Sequence, residues 1–483
     1  MTAGDARSVK SRLAHPVVDS DGHVVESLPA VVEYMRRIGG SAVADRFTSS
    51  SPTYVARDAP LLDRLDQKRP PTLHGAIPAW WTLPTNTRDR ATGFLPRLLY
   101  ERLDELGIDF TVLYPSIGLT CMGHADDQIR TVSCRAVNTY LADTLDGLGD
   151  RMTAAAVIPT HSPDEAIAEL DHAVGQLGFK AVMLNNVVAR ALPDAGAGAR
   201  WLDVLALDST YDYDPVWARC MELGVAVTVH APTMGVELRQ SSTRYMYNHI
   251  GTFAASGEAF AKALVLGGVT NRFPALNFAF MECGVAWGVQ LLADLVGRWE
   301  KRGGTRIELL DPRRVDPAEW DALLVRYGGD LFADPAIRAA MRGQSDNPPE
   351  ALDDFRACGI ERPEDLAAQF DRFYFGCEAD DTLISWAFAD EVNPCGTTLR
   401  AVLGSDLGHW DVADMEGVLP EAYELVEHGQ LDAAEFRAFA CDNAIRLHGG
   451  MNPAFFEGTV VEAYARELLA SEAAERSEAS ATR

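Results

Sequence analysis

The 483-residue chain lacks basic excess: 43 Lys and Arg face 70 Asp and Glu, a formal charge of −27. A like-signed field repels polyanions at encounter distance. Coating nucleic acid or an anionic membrane is thereby excluded, and the expected partner is a small-molecule substrate, with a homo-oligomer or a related partner subunit as the protein contact. The eight cysteines include no CxxC pair. That excludes a Cys-ligated zinc ribbon and favours reduced, structural thiols over a disulfide framework, the expectation for a cytoplasmic protein. The opening run MTAGDARSVKSRLAHP has no apolar segment of signal-peptide type, and no later stretch is apolar long enough to span a bilayer. What the chain does have is ordinary core material, 47% hydrophobic against 23% charged, which excludes a disordered or fibrous protein.

Eight short β-type runs recur at 15–26, 109–116, 152–160, 179–186, 225–232, 276–284, 373–381 and 400–408, with amphipathic segments between them. SPDEAIAELDHAV opens one helix, with Ser162 as N-cap, Pro163 at the first position and Glu165 at the capping-box position. Strands alternating with helices predict parallel βαβ units, and eight of them predict an α/β fold of the closed (β/α)8 TIM-barrel type. A doubly wound open sheet is the second expectation. Residues 1–470 read as one domain and 471–483 as a frayed tail. Two intervals exceed a single crossover helix: 40–95, with Trp80 and Trp81, and 303–370, with LLDPRRVDPAEWDALLVRY. Both are read as insertions at the catalytic face that shape a pocket; for 303–370 an oligomer contact is an equal expectation.

Several strands end in groups able to bind a metal. In DSDGH, Asp19, Asp21 and His23 share one face by the period of two, and Asp21 with His23 forms a clamp at the end of the first strand. His230 ends VAVTVH, Glu282 ends FAFME and Asp406 ends AVLGSD. Burying such groups without a cation is costly, so the set points to a divalent transition metal. With no thiolate among the donors, zinc, manganese or iron suits it, and His249 in YMYNHIG with Glu282 gives enough donors for two ions. His409, in SDLGHWD, and Glu378, at the seventh strand's end, are candidate catalytic or tuning groups. Glu26 adds an oxygen donor, and His161 and His124 sit in loops as possible substrate contacts. His74 and His428 have no assigned role. Arg239, Arg244 or Arg298 are candidates to hold a substrate carboxylate.

DSDGHVVE, VTVHAP, RFPALNFAFMECGVAW, GSDLGHWD and DNAIRL together resemble the amidohydrolase superfamily, in the amidohydrolase-related branch that also contains metal-dependent decarboxylases. The resemblance implies that Asp21 and His23 form the first-strand metal pair, that His230 is the histidine after the fifth strand and that Asp406 is the eighth-strand aspartate. Three departures stand out: DxH replaces HxH, Glu282 stands where many members have histidine, and the fourth strand ends in Asn185 and Asn186 without a bridging lysine, since Lys180 begins that strand.

NHIG, FYFGCEADD and GSDLGHWDVADM are further similar to a subgroup whose members use a dinuclear non-haem iron or iron/manganese centre to hydroxylate carbon. That resemblance implies a monooxygenase acting on a carboxylic acid derivative. In this reading Asp21, His23, His230, His249 and Asp406 hold the metals, Glu282 ligates or bridges, and His409 and Glu378 tune or position. The alternative is a metal-dependent hydrolase or non-oxidative decarboxylase, with Asp406 as general base on a metal-bound water in the hydrolytic case. A metal-stabilised subunit without catalysis is the non-enzymatic reading.

Overall fold

The β-branched and small apolar runs become strands in the computed structural model, which describes residues 5–50, 84, 86–192, 199–230, 244–341 and 353–481. In chain order these are β1 (Val18–Val24), β2 (Phe110–Pro115), β3 (Met152–Ile158), β4 (Ala181–Leu184), β5 (Val188–Ala191), β6 (Arg200–Asp203), β7 (Val227–His230), β8 (Phe278–Met281), β9 (Phe373–Glu378) and β10 (Arg400–Gly404). Eight form one parallel sheet in the order β1-β2-β3-β4-β7-β8-β9-β10. The order never reverses, so the switch point of a doubly wound sheet is absent and the (β/α)8 expectation stands. Strands β2, β4, β7 and β8 are buried along their whole length, as parallel strands covered on both faces must be. The antiparallel hairpin β5–β6 follows β4 and lies apart from the barrel sheet.

The seam between β10 and β1 is closed at the strand ends. Asp406 N–H donates to Asp21 O at 2.9 Å, and His23 N–H donates to Leu407 O at 2.9 Å. Beneath them Asp19 is a brace. Its carboxylate accepts from Thr111 Oγ1 (2.6 Å), Ser405 Oγ (2.7 Å), Ser405 N (2.9 Å) and Asp21 N (3.2 Å), tying β2 and β10 to β1. The β1–β2 register shifts between Asp19 and Gly22, and a Cβ on Gly22 would lie 2.7 Å from Asp19 Oδ2. This irregularity separates Asp19 from the Asp21–His23 pair, with which strict alternation had grouped it.

The helix Pro163–Ala173 carries the expected capping box between Ser162 and Glu165. The first insertion enters the barrel mouth: Val25 N–H donates to Gly93 O at 2.8 Å, and Gly93 packs on the backbone of Gly408. Trp80, Trp81 and His74 lie outside the described residues. The second insertion is placed differently. It leaves from the far end of helix Ala286–Arg302, which descends from β8, and returns at the start of β9, so both roots lie at the face where strands begin. The rooting at the catalytic face expected for it is corrected by this topology. The carboxy-terminal residues read as frayed continue the helix Glu462–Ala481, largely exposed in its last turns. Among the described residues no helix is long and apolar enough to cross a membrane.

Candidate metal centre

Four strand ends deliver the donors to one point. Asp21 and His23 come from β1, His230 ends β7, Glu282 follows β8 and Asp406 follows β10. His23 Nδ1 lies 3.1 Å from Tyr114 O; a carbonyl only accepts, so the proton sits on Nδ1 and Nε2 keeps a free lone pair. That Nε2 is 3.0 Å from Asp406 Oδ1 and 3.6 Å from Asp21 Oδ1. His230 Nε2 is 3.1 Å from Glu282 Oε2 and 3.8 Å from Asp21 Oδ1. The two imidazoles meet edge-on with centroids 5.1 Å apart. Tyr114 lies against both, its hydroxyl donating to Thr228 Oγ1 at 2.8 Å.

These atoms fit a divalent cation. Asp21 Oδ1, His23 Nε2 and both ring nitrogens of His230 are buried without a hydrogen-bond partner, a costly state that a bound cation relieves. Glu282 and Asp406 sit at φ 54° and 48°, in the left-handed region uncommon for residues other than glycine. Such backbone is retained where a side chain must be aimed at a site. Donor atoms within 4.8 Å of one another form three groups: His23, Glu282, Asp406 and His409; Asp21, His23 and His230; and His249, Glu282 and Asp411.

Burial, reinforced by the neighbouring carboxylates, holds Asp21 and Glu282 well above the ordinary carboxylate range, and burial does the same to Asp406. Asp411 is pushed up to about 8 by burial and by Asp406 beside it. Burial, with help from His409, drives His23 well below the usual imidazole value and His230 to about 3. Neutral imidazoles are what a metal requires, and a cation reverses the carboxylate shifts.

Of the residues expected from sequence, Asp21, His23, His230, Glu282 and Asp406 are brought together, and His249, half-buried, reaches the Glu282–Asp411 side. His409 is nearer the centre than its loop position implied. Its Nδ1 is 2.7 Å from Asp406 Oδ1, its Nε2 is 2.9 Å from Ser116 Oγ, and its ring stacks on His23 at 3.6 Å. Glu378 stands close enough to raise the pKa values of Asp21, Glu282 and Asp406, but joins none of the three donor groups. Glu26 is engaged by backbone, accepting from Ile117 N (2.8 Å) and Gly118 N (2.9 Å). His161 and His124 are half-buried in loops outside the donor groups, and His428 is exposed. Asn185 and Asn186 end β4, donating to Met122 O and Ser256 Oγ. Arg244 and Arg298 are exposed, and Arg239 lies outside the described residues. Asp411, Ser116 and Tyr114 escaped the sequence reading. Ser116 ends YPS directly after a strand, the same signal that marked the other donors.

Two curated decarboxylases are similar to this chain. Decarboxylase orsB of Emericella nidulans is 27% identical over 186 residues, which cover 35% of this chain and 50% of that protein. Gamma-resorcylate decarboxylase of Rhodococcus jostii is 24% identical over 230 residues, covering 43% of this chain and 66% of that protein. The chain therefore spans less than two thirds of the length of either relative. Among solved structures, an amidohydrolase, map2389c, of Mycobacterium avium subsp. paratuberculosis shares the fold at a TM-score of 0.52 and 17% identity, over 90% of this chain and 100% of that one. The family model described as amidohydrolase matches residues 18–450, a span that contains every strand of the barrel and all five convergent donors, and the chain belongs to the amidohydrolase family.

Proposed function

We propose that this protein is a metal-dependent, non-oxidative decarboxylase of an aromatic carboxylic acid. The observation that carries the reading is the convergence of Asp21, His23, His230, Glu282 and Asp406 at the mouth of an amidohydrolase-family barrel, with buried, unpartnered polar atoms on Asp21, His23 and His230. Two similar proteins named as decarboxylases support the choice of reaction over the oxygenase that the sequence put first. Asp21, His23, His230 and Asp406 would hold the cation, with Glu282 ligating or bridging. When bound, a divalent ion supplies Lewis acidity and positive charge for an anionic substrate.

The chain's own residues account for the proton. In such a reaction the bond from ring carbon to carboxylate breaks, its electron pair stays on the ring, that carbon takes a proton and carbon dioxide leaves. Glu378, which burial and the neighbouring Asp411, Asp380 and Asp381 raise above the ordinary carboxylate range and which stands outside the three donor groups, is assigned as donor. His409, fixed between Asp406 and Ser116, orients Asp406. The test is anaerobic incubation of the metal-loaded protein with a panel of hydroxybenzoates that includes gamma-resorcylate. The expected result is carbon dioxide released in step with substrate loss, at the same rate with and without oxygen.

A dinuclear iron or iron/manganese monooxygenase is the second reading, and one feature favours it: His249, Glu282 and Asp411 form a donor group that shares Glu282 with the first. Product that appears only with matching oxygen uptake would establish this reading and remove the decarboxylase.

A further inference from the structure

The second insertion breaks the burial rule that the barrel obeys. Residues 304–341 form the helical segments Gly304–Leu310, Pro312–Arg314, Pro317–Tyr327, Asp330–Phe332 and Pro335–Met341, and the central helix Pro317–Tyr327 has no buried residue. An 11-residue helix is marginal in water by propensity alone and is normally held by its packed face. Trp320, Leu323, Leu324 and Tyr327 lie on one stripe of that helix at the i, i+3, i+4, i+7 spacing. Trp320 and Leu324 are half-buried, whereas Leu323 is 45% and Tyr327 70% exposed.

We propose that this arm is a self-association surface, and that its occupant is the same arm of a second copy, with the two Pro317–Tyr327 helices antiparallel about a two-fold axis near Leu323. Three observations select that occupant. Nine of the 20 large apolar side chains exposed among the described residues lie in the arm. Even without Val325, which lies off the stripe, the others present roughly 800 Å² over the arm at their fractional exposures, comparable to the ~800 Å² that each partner contributes to a standard interface. The stripe is self-complementary, because a two-fold axis near Leu323 sets Trp320 of one copy toward Tyr327 of the other. The flanking charges are also complementary. Glu319 and Arg326 are one heptad apart on the same side of the stripe, so antiparallel pairing brings Glu319 of each copy against Arg326 of the other. Neither forms an ion pair among the described residues; Arg326 rests over the Tyr327 ring at 5.0 Å.

The arm is braced to present this face. Asp316 caps the central helix by accepting from Ala318 N and Glu319 N, and Arg338 Nε donates to Asp321 Oδ1 at 2.6 Å, tying the helix Pro335–Met341 to it. Its roots lie at the face opposite the metal centre, so it is not a lid over the chemistry. The inference is independent of the reaction assigned above.

The test is sedimentation velocity on the full chain over a range of concentrations. A dimer is expected for the native sequence, and Leu323→Asp should weaken it about tenfold or more, the scale of a central interface residue. Glu319→Arg and Arg326→Glu should each weaken association, and the double variant should recover it. Leu323→Cys should form a covalent dimer on mild oxidation while Val325→Cys, off the stripe, does not; the exposed native Cys395 is common to both. A monomer at every concentration, a dimer indifferent to Leu323→Asp, or a double variant weaker than both singles would overturn the proposal.

Discussion

At the barrel mouth the side chains of Asp21, His23, His230 and Asp406 are each no more than 5% exposed, whereas in the arm Leu309 and Leu331 are 67% exposed. One region buries polar groups that water would solvate, and the other exposes apolar groups that water rejects. Both are unfavourable alone, but they are sustained differently. The mouth is held by covalent continuity with eight packed strands and by the Asp19 brace, so its unpartnered atoms stay in place without a ligand. The arm has no comparable core, so its order depends on what covers it.

The largest expected effect breaks the mouth. Replacing His23 or His230 with Ala should lower divalent-metal affinity on the order of 100-fold or more, above the range typical of outer partners, while circular dichroism reports an intact barrel. Elemental analysis showing unchanged metal content in both variants would dissolve the contrast, because the buried cluster would then be merely structural.

A smaller effect tests what holds the mouth in place. Asp19→Ala leaves four buried donors, Thr111 Oγ1, Ser405 Oγ, Ser405 N and Asp21 N, without their acceptor and should cost roughly 3 kcal/mol in urea unfolding. A loss under about 1 kcal/mol would mean that strand packing alone closes the seam.

The smallest expected effect concerns pH. Glu378 and Asp411 are raised to about 7 and about 8, above their values in an unfolded chain. The folded metal-free protein therefore binds more protons than the unfolded chain up to those values. That contribution is present at low pH and lost as pH rises through 7 to 8. His230 and His409, lowered to about 3 and about 4, act in the opposite sense, but only below the unfolded imidazole value of about 6.5. Between about pH 6.5 and 8.5 the carboxylates dominate, and Tm of the metal-free protein should fall by a few degrees. Added divalent metal should flatten the decline, since it favours the ionised carboxylates. A flat metal-free profile would show that these groups are solvated as freely as exposed ones.

The sequence by itself determined the eight strands, their order and the five donors at their ends, because alternating βα units and strand-terminal His, Asp and Glu are local signals that a barrel necessarily brings to one face. It also carried the capping box at Ser162, a purely local hydrogen-bonding device. Only the tertiary structure decided which of the two acids on one strand serves the site: the register shift at Asp19 turns that carboxylate to the seam and leaves Asp21 and His23 at the mouth. It also drew in Ser116 and Asp411, whose places at the site rest on contacts between distant loops. For the arm, the apolar spacing of Trp320, Leu323, Leu324 and Tyr327 was written in the chain, but its place was not. Periodicity marks the face a helix must cover, while the topology of the connections decides whether that face meets the pocket, the core or another molecule.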